Sequence, residues 1–491
     1  MKNRVMLLFL LVTICINASD LMELEKIKPG MKGIGYTVVE NSNIESFNVD
    51  VIKVIKGENG IKNMILGKFY GNPIKKSGGI SEGMSGSPVF INGKIIGALS
   101  FVVDSESKNI GAITPISEII AVEGKKGFEM SRVPTNVRAG SAISITPVRG
   151  DITLENIGTM TYIRGNRFYA LGHQMDGKGS MKFFLNEAKI EYSVPAKGIP
   201  YKMGYSLRTI GVVNEDRRAG ISGTLTQDIK TYEFNTVIED RTGTNKYYFE
   251  MPRDNTTLQM YLSKSYDALL KKKYDADEYK SMEYSYKIYD ERNNLIYENG
   301  NFIFFEYGLF ENYSSLVSEE ILNIIDNPFK YLKFRRVEMK ISLSKEKRIG
   351  YIKKISLTKD VVQIGNKLRI NINYLVHQKG LINKSVDIEI PKNFEIGSAK
   401  LFIFAGDSDK AQEEEAPLNY NYKNLTEFLK YYKSKYKNNE LVIKIESSSG
   451  NRSIKARVPF SYAVVFSDEF EKDIVIDTLP ARQDGRDESG E

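Results

Sequence analysis

The feature that most constrains the fold is a series of short apolar runs, punctuated by glycine, between residues 31 and 226. Such runs at short intervals are typical of β-sandwiches and β-barrels. Residues 47–51 alternate apolar and polar side chains, as a half-buried strand does. The pair Asn92-Gly93 joins two apolar runs and favours a type I′ hairpin turn, because both central residues need positive φ. With a second hairpin predicted around Gly165, this region is predicted to be mainly β.

The composition changes near residue 230, where glycine becomes rarer and Lys, Tyr and Asn become more frequent. At about 100–200 residues per domain, the chain is long enough for two to four domains. We predict a signal peptide, a first β domain, a β-rich accessory region, a β-sandwich-like accessory domain and a polar tail, at residues 1–18, 19–230, 231–345, 346–479 and 480–491. Patterning in the accessory part predicts strands at 282–289, 338–343, 368–374 and 440–445, and helices at 318–325 and 425–435.

The N-terminus has the pattern of an export signal. Lys2 and Arg4 precede an apolar run over residues 5–14, and residues 16–18 resemble a signal-peptidase site. The sole cysteine, Cys15, lies in this leader, so the mature chain is expected to have neither thiols nor disulfides. No other stretch reaches about 18 consecutive apolar residues, and no transmembrane span is predicted. We expect a periplasmic, outer-envelope-associated or extracellular protein.

Charge and ligand chemistry exclude several classes of function. The formal net charge is +7, but Lys and Arg are spread among Asp and Glu, so no nucleic-acid partner is predicted. Two distant histidines and no mature cysteine do not make an ordinary zinc site, and no metal is predicted. The segment 33–35, Gly-Ile-Gly, lacks the third glycine and the helix of a dinucleotide fingerprint. We therefore predict no cofactor.

A candidate nucleophile stands in the run Gly-Met-Ser-Gly-Ser-Pro at residues 83–88. A nucleophilic serine must project from a tight turn whose backbone N–H groups converge on the developing oxyanion, and flanking glycines permit that geometry. Ser85 would be the nucleophile, and the N–H groups of Gly83 and Ser85 would form the oxyanion hole. The run differs from the G-x-S-x-G elbow, since its fifth residue is Ser87 and a hairpin follows. The alternative is an ordinary turn between two strands.

A serine nucleophile needs a general base, and histidine is the usual one because its pKa lies near neutrality. His377 lies in the accessory part and is interpreted as a surface or strand residue. His173 follows Leu171-Gly172 where a predicted strand ends in a glycine-flanked loop, a common place for active-site residues. His173 is the candidate base, with a structural histidine as the alternative.

Four separated segments resemble the SpoIVB-type serine peptidase domain family: residues 29–51, 77–98, 170–173 and 210–223. Together they extend over about 200 residues. The resemblance implies a chymotrypsin-like double β-barrel, a catalytic serine in the Gly-Met-Ser-Gly-Ser-Pro segment and a catalytic histidine in the Leu-Gly-His segment. Residue by residue, these roles fall on Ser85 and His173.

Two departures from the sporulation protease affect this assignment. There the histidine segment precedes the serine segment, whereas here it follows, although a triad is defined by geometry and not by chain order. The position of its aspartate falls near Tyr70 in this chain. The acid is therefore open among Asp176, which is close to His173 in sequence, and Asp50 and Asp216, which lie in the matched segments. No PDZ module is recognised.

The sequence therefore predicts an exported serine endopeptidase that cleaves protein or peptide substrates, with self-cleavage as a secondary expectation. Walls of the substrate site are expected at residues 100–103 and 110–114. The alternative is a catalytically degenerate peptidase-fold protein that acts as an envelope or extracellular binding module.

Overall fold

The computed structural model describes residues 20–57, 63–104, 106–123, 135–272, 274, 278–305, 310–411, 422–466 and 469–478. The chain divides into two compact units: unit 1 extends to Tyr232 and includes Phe249–Ser265, and unit 2 comprises Glu233–Tyr248 and the chain from Tyr266 onward. The predicted signal peptide at 1–18 and polar tail at 480–491 lie outside the described residues. The predicted domain bounds stay predictions.

Unit 1 begins with a closed antiparallel barrel of six strands. These are β1 (Lys32–Val38), β2 (Ile44–Ile55), β3 (Met64–Tyr70), β4 (Pro88–Ile91), β5 (Lys94–Val102) and β6 (Ile110–Pro115). Their order around the barrel is β1-β2-β3-β6-β5-β4, and pairing between β1 and β4 closes it. Short helices α1 (Asn72–Lys76) and α2 (Ile116–Ile120) follow β3 and β6, and a 3-10 turn at Leu24–Lys26 precedes β1. The interior is filled by aliphatic and aromatic side chains, including Phe47, Phe69 and Ile113.

The next six strands form a second barrel. They are β7 (Ala142–Gly150), β8 (Leu154–Arg164), β9 (Arg167–Ala170), β10 (Gly179–Val194), β11 (Tyr201–Arg217) and β12 (Gly220–Leu225). Antiparallel pairings run in the order β7-β8-β9-β12-β11-β10, and β10 pairs back with β7. The second barrel is thus a closed ring with the same strand order as the first. The predicted mainly β fold with a double barrel is confirmed.

Both predicted hairpins are present in unit 1. β4 and β5 pair across Asn92-Gly93, whose φ angles of 50° and 74° are the positive values that a type I′ turn requires. β8 and β9 pair around Gly165, which has a φ of 64°. These turns fix the register of the strands that lead into the candidate site.

Beyond the second barrel the structure has fourteen strands among the described residues. They are β13 (Thr231–Asp240), β14 (Gly243–Pro252), β15 (Ser281–Tyr289), β16 (Leu295–Phe304), β17 (Arg336–Ser344), β18 (Ile349–Leu357), β19 (Val361–Gln363), β20 (Lys367–Val376), β21 (Gly380–Glu389), β22 (Gly397–Ala405), β23 (Glu440–Ser447), β24 (Ser453–Pro459), β25 (Ala463–Val465) and β26 (Phe470–Asp477). The helices here are α3 (Asn255–Lys271), α4 (Phe310–Ile325) and α5 (Leu425–Ser434). The predicted accessory strands and the two predicted helices are confirmed, whereas α3 was not predicted.

Within unit 2, a four-stranded sheet (β21-β20-β18-β25) and a five-stranded sheet (β19-β26-β22-β23-β24) share one hydrophobic core. His377 lies in the turn that follows β20, in unit 2. Over the parts of the chain that the structure describes, no helix combines the length and the apolar character needed to cross a membrane.

Candidate active site

Ser85 lies on a tight loop between α1 and β4 of the first barrel, residues 77–87, here named the Ser85 loop. Gly83 and Gly86, on either side of Met84-Ser85, have positive φ angles of 87° and 94°. Two turn hydrogen bonds tighten the loop: the Met84 N–H donates to the Ser81 carbonyl and the Ser87 N–H donates to the Met84 carbonyl, each at 2.9 Å. The Met84 side chain is fully buried in the barrel core. The fold thus anchors one side of the turn and leaves Ser85 partly exposed.

Gly86 brings the Ser85 loop against the second barrel. A Cβ atom at Gly86 would lie 2.0 Å from the Thr159 carbonyl oxygen, so a side chain has no room there. The Thr159 N–H donates to the Ser85 carbonyl at 2.9 Å, and the Thr161 hydroxyl donates to the Gly86 carbonyl at 2.9 Å. The Gly86 N–H donates to Leu99 of β5 at 2.8 Å. Strand β8 of the second barrel therefore holds the loop of the first.

The His173 loop, defined as residues 171–178, connects β9 to β10 in the second barrel. It begins with Leu171 and Gly172, both at positive φ, and the Gly172 carbonyl accepts hydrogen bonds from two buried hydroxyls of the first barrel. These donors are Ser100 on β5, at 3.0 Å, and Thr114 on β6, at 2.6 Å. First-barrel strands thus fix the backbone directly before His173.

Ser85 and His173 contact adjacent residues of β5, Ser100 and Phe101. The Ser85 hydroxyl donates to the Ser100 carbonyl at 3.3 Å. The ring of Phe101 packs on the ring of His173, with centroids 5.3 Å apart. The predicted nucleophile and the predicted base, 88 residues apart in the chain, thus both contact the same strand of the first barrel, and their pairing stays a prediction.

The His173 Nδ1 atom lies 2.7 Å from the Gln174 carbonyl oxygen. Because a carbonyl oxygen can only accept, this contact assigns the proton to Nδ1 and leaves Nε2 of the neutral ring as an acceptor. An acceptor Nε2 is what a general base must offer to a serine hydroxyl. A backbone carbonyl here makes the contact that the aspartate makes in a Ser-His-Asp triad.

The three acid candidates have partners of different kinds. Asp176 accepts a hydrogen bond from the Tyr261 hydroxyl at 2.7 Å; burial of Tyr261, together with this bond, raises the pKa of the phenol. Asp50 accepts from the Tyr70 hydroxyl at 3.0 Å, and that bond raises the pKa of Tyr70. Asp216 is fully buried. The triad role of Asp176 stays a prediction.

Asp216 instead organises the His173 loop. Its carboxylate accepts the backbone N–H groups of Met175, Asp176 and Gly177, at 2.8, 2.7 and 2.8 Å. Three converging N–H donors stabilise a carboxylate charge and fix the loop that follows His173. The sequence placed Asp216 among the possible triad acids but gave no sign of this backbone role.

The predicted oxyanion donors, the N–H groups of Gly83 and Ser85, differ from the other N–H groups of the turn in their hydrogen bonding. Within the described residues, the N–H groups of Gly83 and Ser85 make no hydrogen bond, whereas those of Met84, Gly86 and Ser87 all do. Two unengaged amides beside a serine can bind a developing oxyanion.

A small cavity opens beside His173. It has a volume of about 230 Å³ and is lined by Phe101, His173, Gln174 and Arg218. Phe101 belongs to the first of the two predicted substrate walls and is 44% exposed. Among the described residues, no group of three or more His, Cys, Asp or Glu side chains is arranged to hold a metal ion.

The sequence gave no indication of Lys202, which is buried against the Ser85 loop. Burial lowers the pKa of its amine to about 7. It stands in Tyr201-Lys202-Met203, where alternation would place the lysine in solvent, whereas the structure exposes Tyr201 and Met203 and buries Lys202. The sequence signal that could have indicated a buried Lys202 is a lysine between two large apolar residues, a pattern that is inverted here.

Comparison with known proteins identifies a family that part of this chain resembles. Residues 16–115 match the model of the family described as SpoIVB peptidase S55. The match ends with β6, so it includes Ser85 and excludes His173. No curated protein and no solved structure matches the chain. The resemblance to SpoIVB-type peptidases is confirmed over this segment and supports a serine peptidase at the level of the family.

Proposed function

We propose that this chain is an exported serine endopeptidase in which Ser85 is the nucleophile and His173 is the general base. The observation that carries the proposal is the Ser85 loop itself. A serine stands between two positive-φ glycines, and within the described residues its own N–H and that of Gly83 make no hydrogen bond. His173 packs on Phe101, the residue after the Ser100 whose carbonyl accepts from Ser85, and its Nδ1 contacts a backbone carbonyl. This combination fits acyl transfer.

The chemical step follows from these atoms. Ser85 Oγ forms a bond to the carbonyl carbon of the scissile peptide while its proton passes to His173 Nε2. The resulting oxyanion accepts hydrogen bonds from the N–H groups of Gly83 and Ser85. The C–N bond then breaks, and the proton moves from His173 to the leaving amine. In deacylation His173 takes a proton from water, and the water oxygen bonds to the acyl carbon. The bond between that carbon and Ser85 Oγ then breaks, and His173 returns the proton to Ser85 Oγ.

Before attack, the Ser85 hydroxyl must leave the Ser100 carbonyl. Their separation of 3.3 Å is long for an O–H···O hydrogen bond, so little free energy opposes this rotation. The His173 imidazolium formed in the step would be stabilised by the Gln174 carbonyl at Nδ1. We therefore assign the orientation of the base to the backbone of the His173 loop, with the buried Asp216 holding that backbone.

A fluorophosphonate probe tests the proposal, because it reacts covalently only with an activated serine. We expect wild type to be labelled and Ser85→Ala and His173→Ala to lose labelling. Ser87→Ala is the matched control, since the Ser87 hydroxyl is fully buried and donates to the Met84 carbonyl at 2.6 Å. Labelling that persists in Ser85→Ala would refute the assignment.

Absence of labelling in wild type would favour the alternative, a degenerate peptidase fold that acts as a binding module. Two further parts of the proposal need separate tests. Export predicts that the secreted or periplasmic protein begins at Ser19, which N-terminal sequencing measures. Self-cleavage predicts fragments in wild type that intact-mass analysis does not find in Ser85→Ala.

A further inference from the structure

Lys202, the second residue of β11, is 7% exposed. Lysine is almost never this buried unless a carboxylate pairs with it. Within the described part of the chain, no carboxylate pairs with its amine. Its Nζ donates instead to the Thr37 hydroxyl on β1 and to the Gly83 carbonyl, each at 3.0 Å. A buried amine, which has lost its contact with water, is thus directed at the Ser85 loop.

The backbone and stem of Lys202 contact the same place in that loop. The Lys202 N–H donates to the Glu82 carbonyl at 3.0 Å, and the Glu82 N–H donates to the Pro200 carbonyl at 2.7 Å. A Cβ atom at Gly83 would lie 3.1–3.3 Å from carbons of the Lys202 side chain, so the stem packs against the glycine. Lys202 therefore binds the carbonyls on both sides of the Gly83 Cα atom.

These contacts determine where the Gly83 N–H points. The Glu82 carbonyl and the Gly83 N–H belong to one planar trans peptide and point in opposite directions, so fixing the carbonyl fixes the N–H. The Gly83 carbonyl, held by Lys202 and by the Thr159 hydroxyl at 2.9 Å, fixes the next peptide. Glycine at a φ of 87° has little conformational preference of its own, so these outside contacts set its orientation.

We infer that Lys202 is a positioning residue that keeps the Gly83 N–H directed at the oxyanion of the reaction. This inference rests on the proposed function, because the oxyanion belongs to the Ser85 acyl transfer. Lys202 acts through the Gly83 peptide and does not touch the reacting atoms. The second barrel thereby preorganises the oxyanion hole of a loop that belongs to the first.

The experiment measures the labelling kinetics of Lys202→Met with the fluorophosphonate probe. Methionine keeps the stem and the backbone N–H that donates to the Glu82 carbonyl, and it removes only the amine that donates to the Gly83 carbonyl and the Thr37 hydroxyl. The variant therefore tests how far the hold on the Gly83 carbonyl fixes the conformation of Gly83. We expect kinact to fall about 10- to 100-fold while KI stays within about threefold, because misplacing a catalytic group slows chemistry more than binding. Lys189→Met, which removes a partly exposed lysine of β10 that pairs with Glu191, is the control and should leave both constants unchanged. A raised KI with an unchanged kinact would overturn the inference.

Rescue distinguishes an ammonium effect from a packing effect. In a chain carrying Cys15→Ser, Lys202→Cys alkylated with 2-bromoethylamine before refolding restores an ammonium on a stem of similar length. We expect this product to recover kinact to within about threefold of the Cys15→Ser parent. Failure of rescue in a protein with native-like thermal unfolding would contradict a role for the ammonium.

Hydrogen exchange reads the inference without catalysis and so separates its failure from failure of the proposed function. In Lys202→Met, amides in a peptide covering residues 81–87 should exchange about 10-fold faster than in wild type, while peptides from β7 and β12 remain unchanged. Unchanged exchange at 81–87 would overturn the positioning role, even if wild type is never labelled. If residues 81–87 exchange faster in Lys202→Met but the probe does not label wild type, the positioning role stands and only the peptidase proposal is refuted.

Discussion

Lys202→Met should also change how the stability of unit 1 depends on pH. Burial lowers the pKa of Lys202 from its ordinary 10.5 to about 7. The nearby side chains on the elements packed around it, Thr37 on β1 and Ser193 opposite on β10, carry no charge, and Glu82 in the Ser85 loop is exposed. The amine therefore binds its proton more weakly in the folded chain than in the unfolded chain.

The direction of the effect follows from proton linkage. Below pH 7 both states hold the proton, and wild type bears the full cost of the buried ammonium. Between pH 7 and 10.5 the unfolded chain holds a proton that the folded chain has released, so wild-type stability rises with pH. At about 1.4 kcal/mol per pH unit, this rise is about 3 kcal/mol from pH 6 to 9 and about 5 kcal/mol in all. Lys202→Met lacks this rise in stability, because methionine has no group that titrates.

The assay is urea-dependent hydrogen exchange at pH 6 and pH 9, read on peptides from the first barrel. These amides report the opening of unit 1, which a whole-chain signal would mix with unit 2. The unfolding free energy of Lys202→Met minus that of wild type should fall by about 3 kcal/mol between the two pH values. Lys189→Met should give a nearly constant difference. A constant difference for Lys202→Met would refute the argument that a charged amine is buried there.

Three other predictions concern the contacts that assemble the site. Gly86→Ala should lower the unfolding free energy by at least about 3 kcal/mol, since its Cβ would lie 2.0 Å from the Thr159 carbonyl oxygen. The control Gly93→Ala, also at positive φ but in open space, should cost about 1 kcal/mol, and thermal unfolding compares the two variants. Asp216→Asn should cost about 2 kcal/mol and slow fluorophosphonate labelling, because three amides lose a charged acceptor. Ser100→Ala should cost about 1 kcal/mol in urea unfolding, since the Gly172 carbonyl loses one of its two hydroxyl donors.

Local chemistry made part of the fold predictable. The Asn92-Gly93 turn follows from which residues accept positive φ, and the alternation of apolar and polar residues indicated the strands on either side. The Ser85 loop could be recognised because Gly83 and Gly86 mark a backbone that most residues cannot adopt. In each case the physical cause lies within a few residues of the feature.

Contacts between distant segments were not predictable in the same way. Asp176 was a candidate partner for His173 because it is three residues away, but its carboxylate bonds to Tyr261, which is 85 residues farther along the chain. Tyr261 lies on α3. This helix was not predicted, because the segment has a low mean hydropathy and its many polar residues resemble those of a loop. Lys202 was overlooked because its place between Tyr201 and Met203 predicts a solvent-facing lysine, whereas its burial comes from contacts with the Ser85 loop, which is more than 100 residues away in the chain.

The reversed order of the serine and histidine segments has an explanation in the topology of unit 1. Both barrels have the same strand order, and each predicted catalytic residue lies in the connection between the third and fourth strands of its barrel: Ser85 between β3 and β4, His173 between β9 and β10. Two barrels that bring equivalent connections together form the same junction whichever comes first in the chain. Geometry and not chain order defines such a pair. The order found here is therefore compatible with the proposed Ser85–His173 pair, since Gly86 and Gly172, each beside one of the two residues, both contact the other barrel.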